Sequence, residues 1–365
     1  QIGNPCTCDR SICTLSTDQI REGTNPRLFG LLLRAGLNAG VDWMKVGILN
    51  VTGYAGVELA RLLHTHPVAK VTSVTGRSAQ GERLGEIFPH LSGLDLIIDS
   101  ELSDVDFIFS ALPHKVSAEK IIPYFDDGIR VIDISGDFRL KDPQEYEEWY
   151  KVPHVDPQLL GESVYGLPEL HRDQIGNANL VANPGCYPTS AVLGLAPLVK
   201  HGLVAPDIVI DSKSGISGSG RGLTLATHFS EVNENTWAYG VDGHRHLPEI
   251  TQELNLLNDR LAPTVTFVPH VVPMTRGILS SCYATIVDSR IQINDKGKQE
   301  LRMIYKDFYR DEPFVKVVDI VEKVQSAKRI SDKEACCRQD GLAHPDCGHD
   351  GRRIAEKFLS DEEAC

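Results

Sequence analysis

One cysteine in this chain sits where a thiol could react. Residues 181–190 (VANPGCYPTS) end an apolar strand, turn on Pro184-Gly185, and place Cys186 just ahead of a helix that opens with Pro188 and Thr189. The exposed N–H groups and positive dipole end of a helix favour thiolate over thiol. A thiolate at a strand-to-helix turn is a candidate nucleophile. The alternative for any single cysteine is a small, buried, apolar core residue.

A nucleophile of this kind needs a proton partner and, for an anionic substrate, cations. Residues 243–250 (GHRHLPEI) supply both types. His244 and His246, two apart on extended chain, would point the same way around Arg245, an arrangement suited to acid/base work on an anion. Pro248 marks the first position of a helix running to about Leu261. Zinc competes for these histidines, but Cys186 and Cys282, the only cysteines in the long middle of the chain, lack metal-type spacing. Residues 211–221 (DSKSGISGSGR) form a Gly/Ser loop with cations at both ends. Its backbone N–H groups, Lys213 and Arg221 could hold an oxyanion; the alternative is a flexible surface loop. Arg139, at the end of residues 133–139 (DISGDFR), could bind a phosphate or carboxylate, or pair with Asp137. Asn233 and Asn235 serve either as amide contacts or as simple loop chemistry. Cys336, Cys337, His344, Cys347 and His349 invite a zinc reading, but no C-x-x-C pair is present and no metal is expected.

The elements that must position these groups begin with a glycine-rich turn. An apolar strand over residues 46–49 runs into residues 50–56 (NVTGYAG), then a helix from about Val57 to His64. Such a turn brings backbone close to a pyrophosphate at a helix N-terminus. Asn50 stands where the first glycine of the dinucleotide fingerprint is expected, so an ordinary strand-to-helix turn is the alternative. The next strand ends in Gly76-Arg77-Ser78 with no acidic residue. An arginine there accommodates a 2′-phosphate where an acid would grip the 2′-hydroxyl, so NADP(H) is the expected cofactor; otherwise Arg77 is a solvated turn charge.

Short apolar strands (68–74, 107–110, 130–134) alternate with helical stretches such as 117–125, which implies βαβ units and a parallel sheet. Longer strands follow Cys186 (207–213, 265–272, 280–287) with Gly/Ser-rich connections. The expected fold class is therefore α/β: an N-terminal Rossmann-type NADP-binding domain over residues 44–186, then an α+β catalytic and oligomerisation domain over 187–326 with a mainly antiparallel sheet. Residues 1–43 lack clean periodicity and read as an extraneous or disordered extension before Met44. Residues 327–365 read as an atypical tail, as from a shifted reading frame. The chain has 365 residues, 41% hydrophobic and 24% charged, with a net charge of −13. That charge argues against a nucleic-acid or anionic-membrane partner. No apolar run is long enough to cross a bilayer, no signal peptide is expected, and the uneven placing of nine cysteines fits a reducing cytoplasm better than a disulfide framework.

Eight segments in order (50–59 NVTGYAGVEL, 110–114 SALPH, 133–139 DISGDFR, 165–170 YGLPEL, 181–189 VANPGCYPT, 213–221 KSGISGSGR, 228–235 HFSEVNEN and 243–250 GHRHLPEI) resemble the N-acetyl-γ-glutamyl-phosphate reductase family, within the aspartate-semialdehyde-dehydrogenase-like group. The resemblance covers roughly Met44 to Val287. It implies a cytoplasmic enzyme of arginine biosynthesis that reduces an acyl phosphate with NADPH through a cysteine thioester and forms a homo-oligomer, dimer or tetramer. It places the nucleophile on Cys186 and the catalytic histidine on His246, with His244 nearer the substrate. Arg139, Lys213, Arg221, His244, Arg245 and Glu249 become candidates for the substrate. Asn50, Thr52, Gly53, Tyr54, Ala55, Gly56, Arg77, Ser78, Leu112, Pro113, Ser217 and Gly218 become candidates for NADP(H). Two alternatives stand beside it: an aminoadipyl-phosphate reductase of lysine biosynthesis, and an inactive NADP-binding homologue if the tail is genuine. The family's C-terminal strand and returning helix do not appear in the tail.

Overall fold

The computed structural model describes residues 43–318. The expectations for residues 1–42 and 327–365, including the C-terminal Cys/His set, lie outside the described residues.

The first half alternates strand and helix: β1 (Met44–Leu49), α1 (Tyr54–Leu63), β2 (Ala69–Thr75), α2 (Leu84–Ile87), β3 (Ile98–Asp99), β4 (Phe107–Ser110), α3 (Ser117–Asp126), β5 (Arg130–Asp133), α4 (Pro143–Tyr150), α5 (Pro157–Glu162), β6 (Val164–Tyr165), α6 (Pro168–Asn177) and β7 (Leu180–Ala182). Its seven strands run in the order β3-β2-β1-β4-β5-β7-β6, and every pairing is parallel. Helices on a parallel sheet bury both its faces, so strands such as β7, buried at all three residues, read as unbroken apolar runs. The chain winds outward from β1 to β3, then returns to the other side of β1 at β4. This leaves a crevice at the carboxyl ends of β1 and β4, where doubly wound sheets bind ligands.

The second half comprises α7 (Cys186–Lys200), β8 (Val204–Ser214), α8 (Phe229–Val232), β9 (Trp237–Ala238), α9 (His246–Leu257), β10 (Thr264–Val271), β11 (Ile278–Ile286) and α10 (Asp295–Phe308). Its sheet has the order β11-β8-β10-β9. β9 and β11 pair antiparallel with their neighbours, but β8 and β10 pair parallel from Asp207 to Ser214. The sheet is therefore mixed, which corrects the expectation of a mainly antiparallel one. The reason is α9: a helix in the connection carries the chain back across the sheet, as a parallel pair requires.

Helices α7 and α9 cover one face of this sheet around Val192, Leu195, Ile208, Ile210, Ile250 and Leu254. Ile250 and Leu254 are wholly buried, each stabilising the seat of α9 by roughly 1.5–3 kcal/mol. Strand alternation puts Val209, Asp211 and Lys213 on the other face, beside Leu279 and Tyr283 of β11. Val209, Leu279 and Tyr283 are exposed there.

Candidate active site

β7 delivers the chain to Asn183-Pro184-Gly185, whose Asn183 N–H donates to Asp133 O at the end of β5. Cys186 is itself the first residue of α7, with Gly185 as N-cap. The helix thus begins two residues before Pro188, which lies in the first turn, where a missing N–H leaves no bond unmade. The first turn of α7 holds no acidic residue of its own, so its N–H groups face the half-buried thiol. Neither Cys186 nor Cys282 forms a disulfide.

Gly185 is where three side chains converge. A Cβ on it would lie 2.6 Å from His246 Nε2, 2.8 Å from Arg139 Nη1 and 2.9 Å from Glu249 Oε2. His246 begins α9, again ahead of Pro248, and Glu249 follows three residues later on the same face. The helix ends at Leu257 rather than near Leu261. Glu249 Oε1 accepts hydrogen bonds from Gly185 N–H and from Tyr165 Oη–H, both 2.7 Å. Arg139 donates from Nε to Asn183 O and from Nη2 to Ile134 O, both 2.7 Å. Its Nη1 lies 3.5 Å from Glu249 Oε2 and 3.4 Å from His246 Nε2. Asp137 takes no part in this cluster. It accepts from the Lys115 and Ala118 N–H groups and from Tyr146, so the alternative Arg139–Asp137 pair is not formed.

Three histidines surround the turn, and all are held neutral. Burial, then the charge of Arg139, holds His246 well below the usual imidazole range. Burial and Arg245 push His244 down to about 4. Burial, then Arg245, Arg139 and Lys115, push His114 down to about 3. His244 Nδ1 accepts the His246 N–H at 3.1 Å, and His114 Nδ1 accepts the Gly136 N–H at 2.6 Å. The neutral rings of His244 and His114 therefore carry their protons on Nε2. His246 Nδ1 is buried with no hydrogen bond among the described residues. The Tyr187 ring packs edge-on against His244 and His246, centroids 5.8 and 5.9 Å away.

The cations separate. Arg139 and Glu249 are 4% and 1% exposed and engaged with the protein. Lys213 is ion-paired with Asp211 on the sheet face away from α7. Its neighbour Ser212 points the other way, bonded to Ser280, which also bonds Ser190 of α7. Alternation along β8 therefore keeps Lys213 from the cysteine turn. Arg221 donates to Thr52 O at 2.9 Å and covers the Phe88 ring, so it serves the glycine turn. Arg245 is exposed, with no hydrogen bond or ion pair among the described residues.

The glycine turn explains its own departure from the fingerprint. Asn50 holds φ = 66°, a left-handed conformation that asparagine tolerates better than most residues. Its Nδ2 donates to Ala111 O at 2.7 Å, and its N–H to Thr75 Oγ1 at 3.2 Å. It thus ties the ends of β1, β2 and β4 together. A Cβ at Gly56 would collide with Asn50 O and lie 2.7 Å from Val51 Cα, so α1 packs on β1 only with glycine there. Gly53 is the N-cap, and the first turn of α1, with Tyr54, Ala55 and Gly56, holds no acidic residue. Arg77 and Ser78 are exposed at the tip of β2, and Leu112 and Pro113 follow β4 at the same edge. Ser217 and Gly218 lie in a 3-10 turn (Ile216–Ser219), and Arg221 brings this loop to Thr52.

The comparisons with known proteins agree with this layout. Residues 45–178 match the "Semialdehyde dehydrogenase, NAD binding domain" model and residues 186–339 the "Semialdehyde dehydrogenase, dimerisation domain" model. An N-acetyl-gamma-glutamyl-phosphate reductase of Dehalococcoides mccartyi is 54% identical over 274 residues, covering 75% of this chain and 79% of that protein. The chain belongs to the N-acetyl-gamma-glutamyl-phosphate reductase family. A Geotalea daltonii reductase of the same name is 49% identical over 283 residues, covering 75% and 80%. Aspartate semialdehyde dehydrogenase II of Vibrio cholerae shares the fold, with a TM-score of 0.55 at 15% identity over 78% of this chain and 84% of that one. As a reductase of this family the chain carries a nicotinamide-cofactor domain over residues 45–178. No helix among the described residues is long and apolar enough to cross a membrane.

Sequence reasoning assigned no role to His114, Tyr165 or Tyr187. His114 and Tyr165 stand in the SALPH and YGLPEL segments, and Tyr187 follows the cysteine, so position next to a recognised motif was the available signal.

Proposed function

We propose that the chain reduces N-acetyl-γ-glutamyl phosphate to N-acetylglutamate semialdehyde and inorganic phosphate with NADPH, through a thioester on Cys186, as a step of arginine biosynthesis. The observation that carries this reading is the meeting of His246, Arg139 and Glu249 at Gly185, one residue before a cysteine that opens a helix.

Cys186 attacks the acyl carbonyl as a thiolate favoured by the α7 N-terminus. The carbon–oxygen bond to phosphate breaks and a thioester remains. His246 Nε2, the ring nitrogen against Gly185, takes the thiol proton and returns it to the departing phosphate. Burial keeps the ring neutral before the thiol proton arrives. Bound NADPH supplies the hydride that reduces the thioester to the aldehyde level. The carbon–sulfur bond then breaks, the aldehyde leaves, and the thiolate takes a proton from solvent. Arg245 and the Nε2–H of His244 hold the substrate's anionic groups, because both have donors unspent on the protein.

The glycine turn fits the cofactor. Gly53, Tyr54, Ala55 and Gly56 would hold its pyrophosphate at the open end of α1, with Asn50 and Thr52 shaping the turn and Arg77 and Ser78 beside the 2′-phosphate. Leu112, Pro113, Ser217 and Gly218 would line the crevice. Residues 44–186 and 187–326 form the cofactor and catalytic domains. The open face of the second sheet, with Val209, Leu279 and Tyr283 exposed, forms a homodimer contact in the cytoplasm. The family relationship favours the acetylglutamyl over the aminoadipyl acyl group.

The test is the reverse reaction: aldehyde, phosphate and NADP+, followed by NADPH absorbance, for wild type and Cys186→Ser. The variant is expected to lose essentially all turnover while still binding NADP+. Substantial residual turnover overturns the covalent mechanism.

A further inference from the structure

Glu249 sits on the same face of α9 as His246, and its carboxylate reaches across to α7. Oε1 accepts the N–H of Gly185, the residue that caps α7 immediately before Cys186, and also the Tyr165 hydroxyl from β6. Oε2 faces the Arg139 guanidinium. Arg139 in turn holds Asn183 O, at the start of the cysteine turn, and Ile134 O, after β5. Glu249 is 1% exposed and Tyr165 3%, so neither reaches solvent or a substrate in solution.

We propose that Tyr165 and Glu249 form a positioning clamp that fixes the Gly185–Cys186 turn relative to His246, and that neither touches the substrate. The proposal rests on Cys186 as nucleophile. A carboxylate has about four acceptor directions, and here both oxygens are committed to protein donors. One helix carries both His246 and the strut that locks the opposite helix end, so a shift of α7 against α9 cannot occur without breaking the Gly185–Glu249 bond. Such rigidity matters because a misplacement of about 1 Å can cost on the order of a hundredfold in rate. Burial raises the Glu249 carboxyl above its ordinary range, opposed first by Arg139 and then by the Gly185 and Tyr165 donors. These donors favour the charged form of the strut against burial.

The informative variant is Tyr165→Phe, which removes one donor and leaves no buried charge unpaired. Glu249→Gln, which keeps an acceptor for Gly185, is the second. Two measurements are made on each full-length protein well below its melting temperature: steady-state kinetics of the reverse reaction, and the pH dependence of Cys186 alkylation by iodoacetamide without substrate. The clamp predicts that kcat falls roughly tenfold in Tyr165→Phe, the effect of losing one hydrogen bond to a charged group. KM for aldehyde and phosphate should hold within about twofold, and the alkylation profile should shift in both variants. A rise in KM with kcat and alkylation unchanged would mean direct substrate contact and overturn the clamp. Wild-type values in both measurements overturn it as well. Loss of stability with an unshifted alkylation profile assigns a purely structural role and also overturns it. Failure of the thioester reading is separate: it appears as turnover in Cys186→Ser, while alkylation reports the turn whatever the substrate.

Discussion

Replacing Gly185 by alanine isolates the geometry of the site from its chemistry. The backbone at Gly185 has φ = −69° and ψ = 152°, an extended conformation that alanine adopts freely, so strain does not enter. Glycine is the better N-cap of the two, so its loss adds on the order of 1 kcal/mol of destabilisation. What remains is the new methyl, 2.6 Å from His246 Nε2, 2.8 Å from Arg139 Nη1 and 2.9 Å from Glu249 Oε2. Ordinary contact is about 3.5 Å, so each group must retreat by several tenths of an ångström, and all three are buried. Overpacking of this kind typically destabilises by about 1–3 kcal/mol, and the displaced His246 should lower kcat by on the order of a hundredfold. Urea unfolding and the reverse-reaction assay measure the two effects, with NADP+ affinity as the control, since Gly185 is remote from the glycine turn. A variant with wild-type kcat and stability would falsify the placement of these side chains around the cysteine turn.

Acid should destabilise the fold through the histidines. Unfolded histidine titrates near 6.5, but folded His244 and His114 titrate near 4 and 3. The unfolded chain therefore binds more protons below pH 6.5, and stability is lost as pH falls toward those values, by up to about 1.4 kcal/mol per pH unit for each ring. Thermal melts from pH 7 to pH 4 should show this decline, and a double His114→Asn, His244→Asn variant should flatten it; an unchanged slope argues against buried neutral rings. Asn50→Ala should lose roughly 2 kcal/mol in denaturant titration, from the left-handed backbone and the missing bond to Ala111 O. Asn50→Gly should recover part of this, and equal losses would remove the conformational explanation. Arg77→Ala should raise the KM for NADP+ about tenfold or more and leave that for NAD+ nearly unchanged; equal effects on both cofactors would place Arg77 away from the 2′-phosphate.

Local signals carried much of this molecule. The strand over residues 107–110 and the helix near 117–125 were legible because apolar runs and their alternation are properties of neighbouring residues. Cys186 and the glycine turn were legible for the same reason. The cluster at Gly185 was not, because Arg139, Tyr165, Gly185 and Glu249 come from four separated stretches and meet only through tertiary packing. Arg139 and Glu249 read as substrate ligands in sequence, where nothing reveals that they spend their polar atoms on each other and on backbone. The placing of Lys213 is also tertiary: its side of β8 depends on which face α7 and α9 cover. The parallel β8–β10 pair likewise follows from the crossing of α9, not from strand composition.

The central claim is that Cys186 carries the acyl group. Incubating the protein with N-acetyl-γ-glutamyl phosphate in the absence of NADPH, quenching in acid and measuring intact mass followed by peptide mapping tests it most directly. The prediction is one N-acetylglutamyl adduct on the peptide containing Cys186, absent in Cys186→Ser and released on adding NADPH. Phosphate release without an adduct, or an adduct on any other residue, would contradict it.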